Sequence, residues 1–434
     1  MTEQAEEEIM TAAYFSDFMG DRGQEAERIR QITACLQTEA CPQGERALQM
    51  DTCLQEERLQ QTGDSLQEQA EEQLELLAVM SGDFFQNGCV APVEKRQRIQ
   101  KGLAAGASGV LEMSCFASLS SVGIFAFSAA RLLDKLGSVQ VLALETRAAD
   151  LDQLTEIAYL LIVNDRQFQQ RVASYKEQGR DFYQAQAKAV GERIPGGEEI
   201  MSCWENILAV ECIKSLKLMY SNIRCVCVSC LERPGMFAEW ETGREMGARL
   251  DDLLRYQLYY SEMQLSDIYG GYEHLTKQIL ALRDSYESFS SFCEQLAKGQ
   301  ALYDIRKYFL RLLCGINKST IGIWRMYDFA PCVSLHVKEE ARARRLAEHS
   351  KIQLLADPPR TGRAADQSAE GKTGRAADQS AEGKADRAAD QSAEPGKEWV
   401  WLPEGRGQLR LERSKEELLR LERRAEQICG LIRG

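Results

Sequence analysis

Three cysteines, Cys225, Cys227 and Cys230, lie within six residues and are the one cluster among the chain's fourteen cysteines. A structural zinc site takes four ligands, usually two such cysteine pairs or one pair with two histidines. The chain has three histidines, each alone in the sequence: His274, His336 and His349. The spacing therefore favours packed free thiols, and it predicts no bound metal and no cofactor.

The other residues with chemical potential form weak patterns. Glu273 and His274 follow the turn Gly270-Gly271, which places an acid and a base side by side. A single Glu-His pair beside a glycine turn is common by chance, so it carries little weight as an active site. Gly196-Gly197 lacks the Lys-Ser/Thr of a phosphate-binding loop. No catalytic residue is predicted, and Glu273 with His274 remains the site that an unrecognised helical enzyme would use.

Charge argues against nucleic acid as a partner. Residues 1–75 hold eighteen Asp and Glu against five Arg and no Lys, a net charge of −13 that equals the net charge of the whole chain. Nucleic-acid binding usually requires a basic patch, and only short basic runs occur, near 342–345 and 420–424. The acidic first residues lack the basic segment of a secretory signal, and reduced thiols fit a cytoplasmic protein.

The longest uncharged run lies inside residues 102–136, between Glu112 and Arg131. Five serines interrupt it, so it fits poorly to the ~20 mostly apolar residues of a membrane span. The favoured interpretation is a buried central helix or helical hairpin of a soluble domain. A segment that binds a partner or associates with or inserts into a membrane stays open as an alternative.

Apolar residues recur at helical spacing over most of the chain, and five prolines lie in the first 357 residues. The segment 139–146, VQVLALET, alternates as a strand does, but the helical spacing that continues from Leu151 favours a helix there too. The predicted fold class is therefore all-α: a multi-helix, partly elongated bundle with coiled-coil packing. A short extended segment is expected at 332–337.

Composition divides the chain into four predicted parts. Residues 1–63 form an acidic helical arm, and residues 64–355 form the helical bundle. Residues 356–397 carry a twelve-residue tandem repeat, TGRAADQSAEGK, whose polar composition predicts a disordered linker. Residues 398–434 form a small C-terminal helical element that docks on the chain's own bundle or on a partner.

The C-terminal element is the predicted protein-binding site. Ser414 and Glu417 have the spacing of a capping box, after which apolar residues follow one side of a helix and arginines the other. The predicted contact residues are Trp399, Trp401, Leu418, Arg420, Leu421, Arg423, Arg424, Ile428 and Ile432. The sequence leaves the partner protein and the oligomeric state open.

The predicted function is a non-enzymatic interaction or scaffold protein of the cytoplasm. Two alternatives remain: a helical protein whose segment 102–136 associates with or inserts into membranes, and an enzyme with an unrecognised helical active site.

Overall fold

The computed structural model describes residues 9–39, 74–229, 243–260, 265–298, 300–319, 332–337, 340–350, 354–356, 407–411 and 416–434. These residues form a mixed α/β structure, so the predicted all-α class and its coiled-coil packing are wrong. The strands are β1 Met10–Phe15, β2 Leu74–Met80, β3 Gly109–Met113, β4 Val139–Thr146, β5 Arg224–Ser229, β6 Cys332–Val337, β7 Leu354–Ala356 and β8 Gly407–Leu411.

The strands build one sheet in the order β5-β4-β1-β2-β3-β6-β8-β7. The first five are parallel, and β6, β8 and β7 continue the sheet in antiparallel register. Parallel strands are buried on both faces and read as continuous apolar runs. The β2 sequence, LELLAVM, is buried at every position, so residues 74–80, which were predicted to belong to the helical bundle, form a strand.

The described helices lie between these strands and after them. They are α1 Arg22–Glu39, α2 Lys95–Ala105, α3 Cys115–Ser118, α4 Val122–Leu136, α5 Leu151–Val163, α6 Arg166–Glu177, α7 Phe182–Gly191, α8 Gly197–Ile200, α9 Trp204–Leu218, α10 Arg244–Tyr260, α11 Glu273–Leu282, α12 Phe289–Leu296, α13 Leu302–Cys314, α14 Glu340–His349 and α15 Glu416–Arg433.

The apolar run at 102–136 is not one central helix or a helical hairpin. It supplies the end of α2, the strand β3 and the helices α3 and α4. Ser114 and Ser121, two of the serines that interrupt the run, accept hydrogen bonds from Ala117 N and Ile124 N and begin α3 and α4. Phe125 is fully buried in α4. No helix of the described residues is long and apolar enough to cross a membrane.

Helices cover both faces of the parallel sheet. α1 and α2 pack on one face through Ile29, Ile32, Ile99 and Leu103, and α4, α5 and α9 pack on the other. Because α1 follows β1 on one face while α9 leads to β5 on the other, the connections run in opposite directions from the β1/β4 pair. This pair is the topological switch point, where ligands bind in open α/β sheets at the carboxyl ends of the strands.

A third apolar core lies beyond the carboxyl ends of β2 and β3. It combines α10 to α13 with α15. The strand predicted at 332–337 is confirmed as β6. The tandem repeats, residues 1–8 and 40–63 of the predicted acidic arm, Trp399 and Trp401 lie outside the described residues, and residues 9–39 of that arm contain β1 and α1.

Candidate nucleotide crevice

Two loops bound the switch point, one after β1 and one after β4. Each contains a non-glycine residue with positive φ: Phe18 at 52° and Ala148 at 45°. Such conformations cost about 1–3 kcal/mol each and cluster at functional sites. Phe18 is held by packing, because its ring lies where a side chain on Gly102 of α2 would stand. The strained loops therefore mark this crevice as a candidate site.

The β1/β4 crevice is small and is filled by side chains. Its cavity is about 20 Å³, lined by Phe15, Arg28, Leu144, Glu145, Glu205, Leu208 and Ala209. That volume holds roughly one water molecule. Arg28 of α1 crosses the crevice and donates two parallel hydrogen bonds to Glu145 of β4, with Arg28 Nη2 2.5 Å from Glu145 Oε2. A ligand larger than water enters only if this pair separates.

The remaining contacts of the Arg28–Glu145 pair are long. Arg28 Nη1 lies 3.4 Å from Ser16 Oγ and 4.0 Å from Glu25 Oε2. The Arg28 and Glu145 side chains are 15% and 18% exposed, so water reaches both. Burial lowers the pKa of Arg28, but Glu145 outweighs burial and the pKa stays above its ordinary value. The guanidinium is therefore charged at any pH in the physiological range.

The N-terminus of α1 is satisfied by acidic and amide side chains. Asp21 Oδ1 accepts a hydrogen bond from Gln24 N at 2.9 Å, and Gln24 Oε1 accepts one from Asp21 N at 2.9 Å. Gly20 N donates to Glu25 Oε1 at 3.0 Å. A helix N-terminus ordinarily attracts phosphate. Here Asp21 and Glu25 put negative charge there, so phosphate contacts in this crevice must come from cationic side chains.

Asp17, directly after β1, is a buried acid of this edge. Its Oδ1 atom accepts a hydrogen bond from Ser81 N at 2.8 Å, while Oδ2 has no hydrogen-bond partner. Burial raises the pKa of Asp17, opposed by the charge of Arg98. Arg98 itself is fully buried and donates to main-chain oxygens of Asp17, Ser81, Gly82 and Val93. It fixes the loops after β1 and β2.

The loop after β4 is fixed by one amide side chain. Asn206 of α9 accepts a hydrogen bond from Arg147 N at 2.8 Å and donates to Arg147 O at 2.9 Å. Arg147 in turn lies 3.4 Å from Glu205. The crevice thus has a rigid rim on the α9 side and a cation, Arg147, at its mouth.

A second cavity lies away from the crevice, among α4, α5, α6, α7 and α9. Its volume is about 530 Å³, and most of its wall is apolar, including Phe127, Phe168 and Phe182. Glu211 and Lys214 form an ion pair in its wall.

The residues that the sequence pointed to lie elsewhere. Glu273 begins α11 and pairs with Lys277 at 2.6 Å, and both Glu273 and His274 are exposed. Neither lines the crevice or the larger cavity. Cys225 and Cys227 share one face of β5 against the main core. Burial raises the pKa of Cys225 to about 12. No group of three metal-ligating side chains occurs among the described residues, and Cys230 lies outside them.

The predicted protein-binding helix packs on this chain's own third core. Ile432 is buried, Leu421 and Ile428 are half-buried against the core, and Arg424 Nε donates to Leu313 O at 3.1 Å. Arg423 is exposed. The side chains of Leu418 and Arg420, and both tryptophans, Trp399 and Trp401, lie outside the described residues. Binding of a partner protein by this element stays a prediction.

The sequence analysis did not find the crevice. Residues 10–28, which were interpreted as part of the acidic helical arm, carry a signal that was missed: a short apolar strand is followed by Ser16-Asp17, a glycine turn and a helix. That order is typical of the first unit of a nucleotide-binding α/β sheet.

The comparisons with known proteins agree with this fold. Residues 64–236 match the model of the family described as HIGH Nucleotidyl Transferase. Read in one-letter code, HIGH is His-Ile-Gly-His, and the matched residues contain no histidine. Imidazole chemistry is therefore unavailable from this segment.

Individual relatives carry a more particular name. The tRNA(Met) cytidine acetate ligase of Thermoanaerobacter sp. is 36% identical over 149 residues, which are 34% of this chain and 37% of that relative. The ligase of the same name from Clostridium acetobutylicum is 32% identical over 158 residues. The match to each of these relatives therefore spans less than two fifths of the relative's length.

A solved structure shows the same fold over more of the chain. Thermotoga maritima TmcAL bound with alpha-thio ATP superposes with a TM-score of 0.54 at 19% identity, over 73% of this chain and 78% of that one. The predicted non-enzymatic scaffold is wrong, because the family model and the ligase relatives indicate an enzyme. The enzyme alternative fits better, although the fold is mixed α/β and not all-helical.

Proposed function

We propose that this chain is a cytoplasmic enzyme that uses ATP, bound in the β1/β4 crevice, to ligate a small carboxylic acid such as acetate to a cytidine of tRNA. The observation that carries the proposal is the crevice itself, at the switch point of a parallel sheet with a nucleotidyltransferase-like fold. The activity for which the relatives are named, tRNA(Met) cytidine acetate ligase, supports the acetate and the tRNA. This proposal replaces the earlier expectation that nucleic acid is not a partner.

The chemistry has two steps. An acetate oxygen attacks the α-phosphorus of ATP, the bond to the β-phosphate oxygen breaks, and pyrophosphate leaves with the electron pair. The exocyclic amine of cytidine then attacks the acyl carbon, loses a proton, and AMP leaves. The cytidine receives an amide, and one ATP is consumed for each acetyl group.

The residues of this chain contribute charge and position. Neutralising the triphosphate needs cations, because Asp21 and Glu25 occupy the α1 N-terminus. Arg147 stands at the mouth of the crevice.

Acetate-dependent exchange of labelled pyrophosphate into ATP tests the first step without RNA. Transfer of labelled acetate to tRNA tests the second. We expect exchange with the purified full chain, and label in RNA only when ATP, acetate and tRNA are all present. A chain that binds no ATP and catalyses no exchange, at protein concentrations that give a clear signal with a ligase relative, would refute the proposal.

A further inference from the structure

Among the cations near the crevice, Arg28 is the one that lies across it. Arg98 is committed to main-chain oxygens deep in the fold, and Arg147 is half-exposed at the rim. Arg28 instead contacts side chains, and its main partner is a single carboxylate. Its guanidinium therefore changes partner without disturbing a main-chain hydrogen bond.

The geometry of that contact suits a phosphate. A guanidinium presents a planar fork that binds either a carboxylate or a phosphate through two parallel hydrogen bonds. Arg28 uses this fork on Glu145. The exchange of one bidentate partner for another retains both hydrogen bonds, and it opens the cavity that the pair now fills.

Glu145 opposes nucleotide binding in two ways. It holds the Arg28 fork, and its own negative charge faces the space that a triphosphate would enter. Side chains elsewhere on α1 also reach this region, since Glu25 lies 4.0 Å from Arg28. A nucleotide must therefore supply more negative charge at Arg28 than Glu145 does, and a triphosphate supplies it.

We infer that Arg28 is the residue that binds the phosphates of the nucleotide. Glu145 pairs with Arg28 until the nucleotide displaces it, and this competition sets the affinity for ATP. This inference rests on the proposed function. It predicts that ATP binding separates the Arg28–Glu145 pair, and that the affinity for ATP depends on the competition between the nucleotide and Glu145.

The test is equilibrium binding of ATP, and of adenosine as the phosphate-free probe, to the full-length chain. Glu145→Gln keeps the size of the side chain and removes the competing charge, so ATP affinity should rise about 5- to 10-fold. Arg28→Met should lower ATP affinity at least tenfold and leave adenosine affinity unchanged. Arg28→Lys, which keeps the charge but loses the fork, should fall between.

Arg30→Met is the matched control. Arg30 lies on the same helix, is 60% exposed and pairs with Glu27 at 2.6 Å, so ATP affinity should not change. Thermal unfolding checks that each variant is folded. If Arg28→Met does not fold, the ATP affinity of Glu145→Gln tests the inference by itself.

Two negative outcomes are distinct. If wild type, Glu145→Gln and Arg28→Met all bind ATP with the same affinity, the inference is wrong and the proposed function stands. Failure of both wild type and Glu145→Gln to bind ATP overturns the proposed function, and the inference with it.

Discussion

The carboxyl edge of the sheet carries two ionic clusters of different construction. At β1/β4, Arg28 pairs with one main carboxylate. At β2/β3, Lys95 contacts Glu112 at 2.8 Å, Glu426 at 2.6 Å and Asp83 at 3.6 Å. We call the second group, completed by Arg433 at 2.8 Å from Asp83, the β2/β3 ionic cluster.

The difference lies in what each cluster joins. The β2/β3 ionic cluster connects the sheet to α15, because Glu426 and Arg433 belong to that helix. Arg433 Nε also donates to Ala91 O at 3.0 Å, and Glu422 accepts a hydrogen bond from Cys115 N at 2.8 Å. The Arg28 pair joins two elements that are already packed together. One cluster therefore maintains the fold, and the other is free to respond to a ligand.

The largest expected effect is in the β2/β3 ionic cluster. Lys95→Met leaves Glu112, which is only 5% exposed, without this cation, whereas Asp83 keeps its contact with Arg433. Breaking a buried pair from one side costs about 3–5 kcal/mol. Urea unfolding should show a loss of that size. A loss below about 1 kcal/mol would mean that the cluster does not hold α15.

A buried lysine next to the same loops gives a pH test. Lys307 donates to Ser120 O at 3.0 Å and to Gln86 Oε1 at 3.3 Å, and burial lowers its pKa to about 8. Between pH 8 and the ordinary value of 10.5 the unfolded chain binds the proton and the folded chain releases it. The free energy of unfolding therefore rises with pH over that window, by about 3 kcal/mol in total.

Because other groups titrate in the same range, the measured quantity is the difference in stability between wild type and Lys307→Met. That difference should shift in favour of wild type from pH 8 to pH 10.5 and stay constant below pH 7. A difference that is flat over the whole range would contradict the lowered pKa.

A smaller effect is expected at the crevice. Arg28→Met should cost about 1–2 kcal/mol, because Glu145 is 18% exposed and regains water when its partner is lost. The double variant with Glu145→Met should recover most of that loss, which a double-mutant cycle in urea measures. A loss equal to that of Lys95→Met would mean that this pair is also structural.

The smallest effect concerns the outer member of the β2/β3 ionic cluster. Glu426 is 41% exposed, so Glu426→Gln should cost less than about 1 kcal/mol. Its contribution should disappear in high salt, unlike that of Glu112, which burial shields from screening. A loss as large as that of Lys95→Met would show that the attachment of α15 depends on this one carboxylate.

The sequence predicted strand β6 but not the parallel sheet. A parallel strand of five to eight residues has no hairpin turn beside it, and its apolar residues are consecutive. β2 and β4 could therefore be read as helices, although β4 shows strand alternation at its start. The physical cause is that a crossover connection, not a local turn, pairs the strands.

The crevice was harder still to predict. Its lining comes from positions 15, 28, 144–145 and 205–209, which only the fold brings together. Arg28 and Glu145 are 117 residues apart, and neither belongs to a spaced motif. By contrast, the apolar side of α15 could be predicted from the sequence, because its apolar residues recur at helical spacing within a single helix.

The attachment of α15 also forms long after the strands that it contacts have been synthesised. Lys95 and Glu426 are 331 residues apart. At about 5–20 residues per second a ribosome needs roughly 17 to 66 seconds to travel between them. During that interval the nascent sheet presents Lys95, Asp83 and Glu112 without their contacts to α15.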